Sequence, residues 1–481
     1  MRPKHFAVSP ASFEKLWIPL TAALVVVASA AGDGAPRPRP STVQLTPCAI
    51  GNVAARCGTL SVPENRATPN GRVIALRIAV VSALTEPARV DPIFWLAGGP
   101  GVAATDDAPA AVRFLQAANL ERDLVFVDQR GTGGSNSLAC PKGADPARWA
   151  DDVRACLADL PSDAAAYTTA WAMDDVDDVR AALGYRSINL YGGSYGATAV
   201  QVYLQRHPDR VRTATLLSGS LLDVPLFERF PANSQRALDV VVARCAADPT
   251  CRAAFPDPVA DLRTVAAQLH AGPIELPLTL PGTSESLRFQ RENLGPGLHS
   301  LLLDVRTAAT VPSILHATAR GDWSPVVATV TTGDGAPPTW SVMNLTIVCH
   351  EPWALMRPTE TQTAGSYLSY ADVRALTVPE TVCAAVPRPQ PEALYRDPVA
   401  VAVPMLLLNG TVDPQDPPEN VASAGRTYPR SMALTIPGQS HQYAGDGCLD
   451  RVIDAFIDSA STADLPAGCL AEMPVPSFVL S

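Results

Sequence analysis

Ser194 is the residue whose neighbours best suit it to act as a nucleophile. It lies within Gly192-Gly193-Ser194-Tyr195-Gly196, after an apolar run and before a run of small residues. This G-x-S-x-G pattern is typical of a sharp turn between a strand and a helix, which lifts the serine hydroxyl out of the backbone. The neighbours of such a strained residue must lack bulk to avoid the adjoining strand and helix. The alternative is an ordinary glycine-rich turn, so other residues must decide between the two.

A serine nucleophile needs a base and an acid that orients the base. In the α/β-hydrolase arrangement the acid follows the serine along the chain and the histidine comes last. Two acids, Asp413 and Asp416, lie beyond the predicted strand Val403–Leu408. We favour Asp413 because it is nearer the strand end, where catalytic residues of α/β sheets gather. Asp416 precedes two prolines and is interpreted as a turn residue.

His441 is the predicted base. Among the seven histidines it alone follows the acid, and it lies in a loop just after the last predicted strand. It would take the Ser194 proton and later give it to the leaving group, while Asp413 holds the tautomer and stabilises the imidazolium. The other histidines receive no chemical role: His5, His207, His270, His299, His316 and His350.

A glycine loop at residues 98–101 is the second predicted element of the site. Backbone N–H groups of Tyr195 and Gly99 are the expected oxyanion donors, and Pro100 has no N–H to offer. The alternative for this loop is a tight turn. The segment Asp128-Gln129-Arg130-Gly131 is harder to assign, and we interpret it as a structural ion pair and turn that brace the site.

Apolar strands alternate with helical segments on both sides of Ser194. Besides the run that enters the serine turn, the predicted strands are Gly58–Pro63, Arg72–Val81, Pro92–Ala97, Asp123–Asp128, Val211–Ser218, Val403–Leu408 and Met432–Ile436. The predicted helices of this part are Ala108–Leu120, Tyr167–Leu183, the segment from Ser194 to about His207, and Cys448–Asp458. Near-continuous apolar strands in this alternation predict an α/β fold with a mostly parallel sheet covered on both faces.

The alternation stops near Leu222 and resumes near residue 399. Between these points the sequence predicts helices at Asn233–Ala246, Val259–His270 and Ala308–Arg320, and a proline-rich, strand-like segment at Pro273–Phe289. We therefore expect a large, mainly helical cap at 224–398, inserted between core parts 47–223 and 399–475.

The first residues are typical of an export signal. Basic residues precede an apolar stretch, and Ala28-Ser29-Ala30 fits a cleavage site. We predict a signal peptide at 1–30, a proline-rich linker at 31–46, and no stable membrane insertion after cleavage, because the stretch is short for a span and contains Pro19. The formal charge of −10 argues against nucleic acid as a partner.

Ten cysteines, all after the predicted signal, agree with export to an oxidising compartment. Sequence alone does not fix their connectivity, and zinc binding is the alternative, although no C-x-x-C pair is present. Pairing of neighbours is the simplest hypothesis: Cys48 with Cys57, Cys140 with Cys156, Cys245 with Cys251, Cys349 with Cys383, and Cys448 with Cys469.

These motifs together resemble one branch of the α/β-hydrolases, the prolyl aminopeptidase and tripeptidyl aminopeptidase serine peptidases, and in particular their exported tripeptidyl type. The resemblance covers roughly residues 48–469. It is carried by Gly98-Gly99-Pro100-Gly101, Asp128-Gln129-Arg130-Gly131-Thr132-Gly133, Tyr191-Gly192-Gly193-Ser194-Tyr195-Gly196, Leu407-Leu408-Asn409-Gly410 with Asp413-Pro414, the segments Tyr167–Thr169 and Asp177–Gly184, the His441 loop and the couple Cys448 and Cys469. The C-terminal core part corresponds to the region typical of the tripeptidyl type.

The chain departs from the family pattern at two places. Ala97 stands where prolyl aminopeptidases often have a histidine, and Asp416 stands at the threonine of Asp-Pro-x-Thr-Pro. The first departure argues against a strict prolyl aminopeptidase. The resemblance also implies that acidic cap residues bind the free amino terminus of the substrate, and Glu351 is the candidate, with an ordinary surface glutamate as the alternative.

The sequence thus predicts a secreted serine hydrolase that needs no metal or cofactor and cleaves short peptides from the amino end through an acyl-enzyme. Its expected partner is a short peptide with a free amino terminus, and its oligomeric state is left open. An esterase or amidase acting on a non-peptide compound is the second interpretation, since one fold hosts many chemistries. A non-catalytic binding protein on the same scaffold is the third.

Overall fold

The computed structural model describes residues 43–141, 148–280, 283–326, 339–355, 366–369, 372, 373, 376, 378–389, 398–445 and 447–480. The predicted signal peptide and most of the predicted linker lie outside these residues. The first strand begins at Thr46, the last residue of the predicted linker.

Thirteen strands are formed by the described residues. They are β1 (Thr46–Ile50), β2 (Val53–Pro63), β3 (Val73–Val81), β4 (Ile93–Leu96), β5 (Leu124–Val127), β6 (Ala139–Pro141), β7 (Ile188–Gly193), β8 (Val211–Leu217), β9 (Ile274–Leu280), β10 (Thr283–Phe289), β11 (Thr339–Ser341), β12 (Met405–Gly410) and β13 (Ser431–Ile436).

The α-helices of the described residues alternate with these strands in the core. They are α1 (Ala104–Phe114), α2 (Gln116–Asn119), α3 (Trp149–Asp159), α4 (Thr169–Ala182), α5 (Tyr195–Arg206), α6 (Leu226–Ala247), α7 (Pro249–Ala254), α8 (Pro258–Ala271), α9 (Arg291–Leu302), α10 (Val305–Ala308), α11 (Val311–Ala319), α12 (Val342–His350), α13 (Glu380–Cys383), α14 (Ala424–Thr427) and α15 (Gly447–Ser459).

One nine-stranded sheet organises the described core, in the order β1-β2-β3-β5-β4-β7-β8-β12-β13. The strands from β5 to β13 in this order run parallel. The first strands, β1, β2 and β3, join the sheet antiparallel. The predicted α/β-hydrolase fold with a mostly parallel sheet is therefore confirmed.

The central strands β4, β5, β7 and β12 are buried on both faces, which explains why their sequences are largely apolar. In β12, Leu407 packs in a cluster with α4 and α5, whereas Leu406 and Leu408 pack on the opposite face with α1 and α15. Because side chains alternate along a strand, neighbouring leucines serve opposite cores. The carboxyl ends of β7, β12 and β13 consequently meet at one edge of the sheet.

The region between β8 and β12 is mainly helical in its described parts, and it contributes α6 to α13. The proline-rich segment forms a hairpin of β9 and β10, paired from Ile274 opposite Phe289. Helix α6 begins earlier than predicted, because Pro231 inside it masks the helical pattern of its first turns. The proposed bounds of the cap and of the two core parts stay a prediction.

The predicted helix Ala108–Leu120 is wrong in its bounds. The chain forms α1 from Ala104 and, after a break at Leu115, the short helix α2. Leu115 has φ −109° and ψ 39°, which is outside the helical region and separates the two helices.

All five predicted disulfides are present in the structure: Cys48–Cys57, Cys140–Cys156, Cys245–Cys251, Cys349–Cys383 and Cys448–Cys469. Every cysteine is thereby paired. Within the described residues, no helix has both the length and the apolar character that crossing a bilayer requires.

Candidate active site

Ser194 is the single residue between the end of β7 and the start of α5. Its backbone has φ 55° and ψ −126°, which is a conformation that residues with a side chain rarely adopt. Its N–H donates to the carbonyl of Leu217 on the adjacent strand at 3.0 Å. Such strained backbone persists where the surrounding structure enforces it, and it is concentrated at functional sites.

The glycines around Ser194 are required by close backbone approach. A Cβ on Gly192 would lie 2.2 Å from the carbonyl oxygen of Gly196, and a Cβ on Gly196 would lie 2.1 Å from that of Leu96. No side chain fits at either position. The expectation that the neighbours of Ser194 must lack bulk thus has a direct steric reason.

Asp413 and His441 are brought together at the carboxyl ends of β12 and β13. His441 Nδ1 lies 2.9 Å from Asp413 Oδ2, and the carboxyl group is fully buried. Asp413 Oδ1 accepts the backbone N–H groups of Gln415 and Asp416, each at 2.8 Å. The backbone of His441 is held by Ser218, whose hydroxyl donates to its carbonyl at 2.9 Å.

Asp413 and His441 each shift the pKa of the other toward its charged form. Burial by itself raises the pKa of Asp413, but the positive His441 and the two backbone donors outweigh it and hold that pKa below its usual value. Burial likewise lowers the pKa of His441, and the neighbouring carboxylates Asp413 and Asp416 more than reverse this, so the pKa of the imidazole is raised. Asp413 is therefore suited to stabilise an imidazolium.

Asp416 also lies at the site, although its position before two prolines predicts a turn residue. Its Oδ2 is 3.6 Å from His441 Nδ1. Burial and the charge of Asp413 raise the pKa of Asp416 to about 7. Proximity in sequence to Asp413 made it the second candidate acid, but no sequence signal indicates that both carboxyl groups face one histidine.

The glycine loop lies against the serine turn. A Cβ on Gly98 would lie 3.5 Å from that of Ser194. Gly99, Ser194 and Tyr195 line a cavity of about 260 Å³. Tyr195 is the first residue of α5, where backbone N–H groups lack an intrahelical acceptor. Gly99 and Tyr195 thus line the same cavity as the serine, as an oxyanion site requires.

Apolar side chains from the helical region form much of the cavity wall. Phe227, Phe230 and Trp353 are among them. His299 of α9 also lines the cavity, with Nδ1 2.8 Å from Ser234 Oγ. Burial lowers the pKa of His299 to about 4, so its ring is neutral near pH 7. Only the tertiary structure identifies these residues, because helical periodicity does not reveal which face of α6 or α9 meets the serine.

Glu351 is buried rather than a surface residue, which corrects the alternative that the sequence left open. Its side chain accepts hydrogen bonds from the backbone and hydroxyl of Thr169, both at 2.8 Å, and from Trp353 Nε1 at 3.0 Å. Thr169 Oγ1 in turn lies 2.9 Å from the hydroxyl of Tyr195. Among the described residues that line the cavity, Trp353 and Tyr195 are present and Glu351 is not.

Arg130 forms the structural ion pair that its segment predicted. Its guanidinium binds both carboxylate oxygens of Asp175 on α4, at 2.7 and 2.8 Å, and both side chains are buried. Gln129 reaches the serine turn, with Oε1 3.3 Å from the Tyr195 hydroxyl. The segment therefore braces the turn from the side of α4.

Three other histidines have local partners. His207 bonds Asp174, His316 bonds Asp261, and His350 bonds the carbonyl of Val386. Asp413, Asp416 and His441 offer atoms that lie within 4.8 Å of one another, so this group could approach a cation. A cation at His441 Nδ1 would displace the hydrogen bond to Asp413, and the two uses of the ring exclude each other.

This arrangement can perform acyl transfer. Ser194 Oγ would attack a carbonyl held at the glycine loop, and His441 would accept the hydroxyl proton while Asp413 stabilises the resulting imidazolium. No hydrogen bond joins Ser194 Oγ to His441 among the described residues. Such bonds are often long in substrate-free sites and shorten when substrate binds.

Two family models match the chain. One described as alpha/beta hydrolase fold matches residues 91–254, and one described as TAP-like protein matches residues 369–469. The serine turn lies in the first segment, and Asp413 and His441 lie in the second.

Curated relatives match parts of the chain at modest identity. Serine protease Hip1 of Mycobacterium tuberculosis is 30% identical over 37% of this chain and 39% of its own. Tripeptidyl aminopeptidase of Streptomyces coelicolor is 32% identical over 33% of this chain and 34% of its own length. Proline iminopeptidase of Neisseria gonorrhoeae is 31% identical over 26% of this chain and 31% of its own length. The alignments span less than half the length of each relative. Proline iminopeptidase of Mycobacterium smegmatis is a similar solved structure, with TM-score 0.38, 17% identity, and coverage of 84% of this chain and 98% of that one.

Proposed function

We propose that this chain, which belongs to the α/β-hydrolases and is related to their peptidases, is an exported serine aminopeptidase. In this proposal Ser194 is the nucleophile, His441 the base and Asp413 the orienting acid, and an acyl-enzyme releases a residue or short peptide from the amino end. The observation that carries the proposal is the 2.9 Å hydrogen bond between His441 and Asp413, at the sheet edge where β7 delivers Ser194.

Three further observations support the proposal. The cavity beside Ser194 is lined by aromatic side chains of the helical region, which suits a short peptide with apolar residues. The relatives include two peptidases whose names specify action at the amino end, tripeptidyl aminopeptidase and proline iminopeptidase. Five disulfides are typical of an exported protein.

Blocking the amino group of the substrate is expected to abolish cleavage. We expect the purified protein to hydrolyse aminoacyl- or tripeptidyl-anilides with a free amine, and to lose at least about 100-fold in kcat/KM when the amine is acetylated, because a buried ionic contact is lost. Release of the anilide chromophore measures both rates. Equal rates with free and acetylated substrates, together with rapid cleavage of simple esters, would favour an esterase instead.

Glu351 stays the sequence-based candidate for binding the substrate ammonium, although it does not line the cavity, and Glu351→Gln tests this role with little change in shape. If the carboxylate pairs with the ammonium, kcat/KM for free-amine peptides should fall about 10- to 100-fold. Hydrolysis of a small ester without an amine should stay unchanged. A similar fall for both substrates would instead assign Glu351 to the support of Tyr195 through Thr169, where its hydrogen bonds already lie.

A further inference from the structure

Asp416 lies between the predicted catalytic pair and the substrate cavity. Its side chain is 4% exposed, and it faces His441 Nδ1 across 3.6 Å. It also lines the cavity that contains Ser194, and among the described lining residues it is the sole carboxylate. A carboxylate in this position can stabilise the positive charge that His441 gains during the reaction.

The two carboxyl groups differ in their hydrogen-bond donors. Asp413 accepts two backbone N–H groups besides the imidazole, and these fix it in its charged form. Asp416 accepts the hydroxyl of Ser220 at 2.5 Å and the amide of Gln415 at 3.0 Å. Since Asp413 remains charged, Asp416 is the member of the pair that takes up a proton near pH 7, and above that pH it is ionised.

The position of Asp416 is rigid. Its carbonyl accepts Asn409 Nδ2 at 2.8 Å, and Asn420 Nδ2 donates to Ser220 Oγ at 2.8 Å, which fixes the hydroxyl that binds the carboxyl group. Asn233 of α6 donates to the carbonyl of Gln415 at 3.1 Å. The orientation toward His441 is therefore set by the core strand β12 and by α6 together.

The charged and titratable groups around the pair are few in the described structure. Asp413 and His441 face Asp416 directly, and Tyr443 lies nearby with its hydroxyl bonded to Ser218. His299, from α9, is neutral near pH 7. Arg236 of α6 is the nearby cation, and it binds the carbonyls of Thr411 and Asp413 and pairs with Glu419 at 3.6 Å.

We propose that Asp416 is a second carboxylate for His441. It would be a positioning residue that stabilises the imidazolium at the same ring nitrogen, Nδ1, that Asp413 binds, and that keeps the ring oriented if Asp413 is lost. The inference rests on the proposed function. In the acylation step, the bond from Ser194 Oγ to the acyl carbon forms, the hydroxyl proton passes to His441 Nε2, and the leaving group departs with that proton. The ionised Asp416 lowers the energy of the charged ring between those two proton transfers.

The charge of Asp416 has two separable effects on rate. It stabilises the imidazolium, which speeds acylation where His441 starts neutral. It also raises the pKa of His441, so the base stays protonated to a higher pH. Removal of the charge should therefore lower the maximal rate and move the acidic limb of the pH profile to lower pH.

The test is the pH dependence of Ser194 labelling by a fluorophosphonate probe in the full chain. Wild type should label with a midpoint above 6.5, the ordinary pKa of histidine. Asp416→Asn should move that midpoint down by about one pH unit or more and lower the plateau about tenfold. Asp223→Asn is the matched control, because Asp223 is an exposed carboxylate paired with Arg426 at 3.7 Å, and its profile should superimpose on that of wild type.

A double-mutant cycle supplies the second readout. Asp413→Asn should lower labelling about 10⁴-fold. If Asp416 supports His441, adding Asp416→Asn to that variant should lower the labelling rate by a factor at least about tenfold larger than the same substitution does in wild type. The inference would be overturned if Asp416→Asn lowered the labelling rate by the same factor in wild type and in Asp413→Asn, or if it left the pH midpoint unchanged. Asp416→Thr serves if the asparagine variant does not fold, and thermal melting reports folding of each variant.

The same experiment distinguishes a failure of the proposed serine-hydrolase function from a failure of the proposed role of Asp416. A wild-type protein that reacts with no fluorophosphonate over the whole pH range would refute the serine-hydrolase assignment itself. Labelling of wild type with identical profiles for Asp416→Asn would leave that assignment intact and remove only the role of Asp416.

Discussion

Ser194→Ala is expected to lower kcat for peptide substrates by about 10⁶-fold. In the proposed mechanism the Ser194 hydroxyl forms the acyl-enzyme, and without it the oxyanion donors and binding contacts would supply a small residual rate. Anilide hydrolysis measures turnover, and the melting temperature measures folding.

The alanine variant should keep the fold, because Ser194 holds its position through its backbone. Its N–H bond to Leu217 does not need the side chain. Melting within a few degrees of wild type together with full loss of activity is the expected pair of results. Retention of more than about one per cent of the activity would exclude Ser194 as the nucleophile.

Asp175→Asn is expected to destabilise the protein by about 3–5 kcal/mol, the cost of leaving buried charge without its partner. Asp175 is 1% exposed and pairs with two arginines: Arg130, which is itself fully buried, and Arg66. The asparagine keeps the shape of the side chain but removes the charge that both guanidinium groups face. Urea denaturation and thermal melting, with the disulfides intact, should show a lower midpoint.

Asp178→Asn is the matched control for this prediction. Asp178 pairs with the same Arg66 at 2.7 Å, but its side chain is 49% exposed. An exposed ion pair contributes about 0–1 kcal/mol, so this variant should melt close to wild type. Equal destabilisation by the two substitutions would contradict the view that burial of Arg130 and Asp175 is what makes their pair important.

The order of elements could be predicted because each strand and helix carries its own local signal. Strands β7, β8 and β12 are buried on both faces, and the unbroken apolar run Met405–Leu408 of β12 is typical of a parallel strand. The bounds of two helices differ from the predicted ones where the local signal is weak. Pro231 masked the start of α6, and the break at Leu115 divided a segment that had been predicted as one helix.

The disulfides could be proposed from sequence because each joins neighbouring cysteines. Cys48 and Cys57 lie on adjacent antiparallel strands, β1 and β2, joined by a short turn. Cys245 and Cys251 likewise join the consecutive helices α6 and α7. Local connections of this kind leave few geometrically reasonable alternatives.

The sequence by itself determined the fold, the serine turn and the residues Asp413 and His441 as candidates, since all of these depend on local patterns and on chain order. Only the tertiary structure decided what surrounds them. Glu351 contacts Thr169, and Asp416 faces His441, across long stretches of chain that carry no shared pattern. Chain order fixes which strand ends deliver side chains to one edge of the sheet, but the contacts of a buried carboxyl group depend on how distant segments pack. That packing places two carboxyl groups at one histidine and buries Glu351 against Thr169 and Trp353.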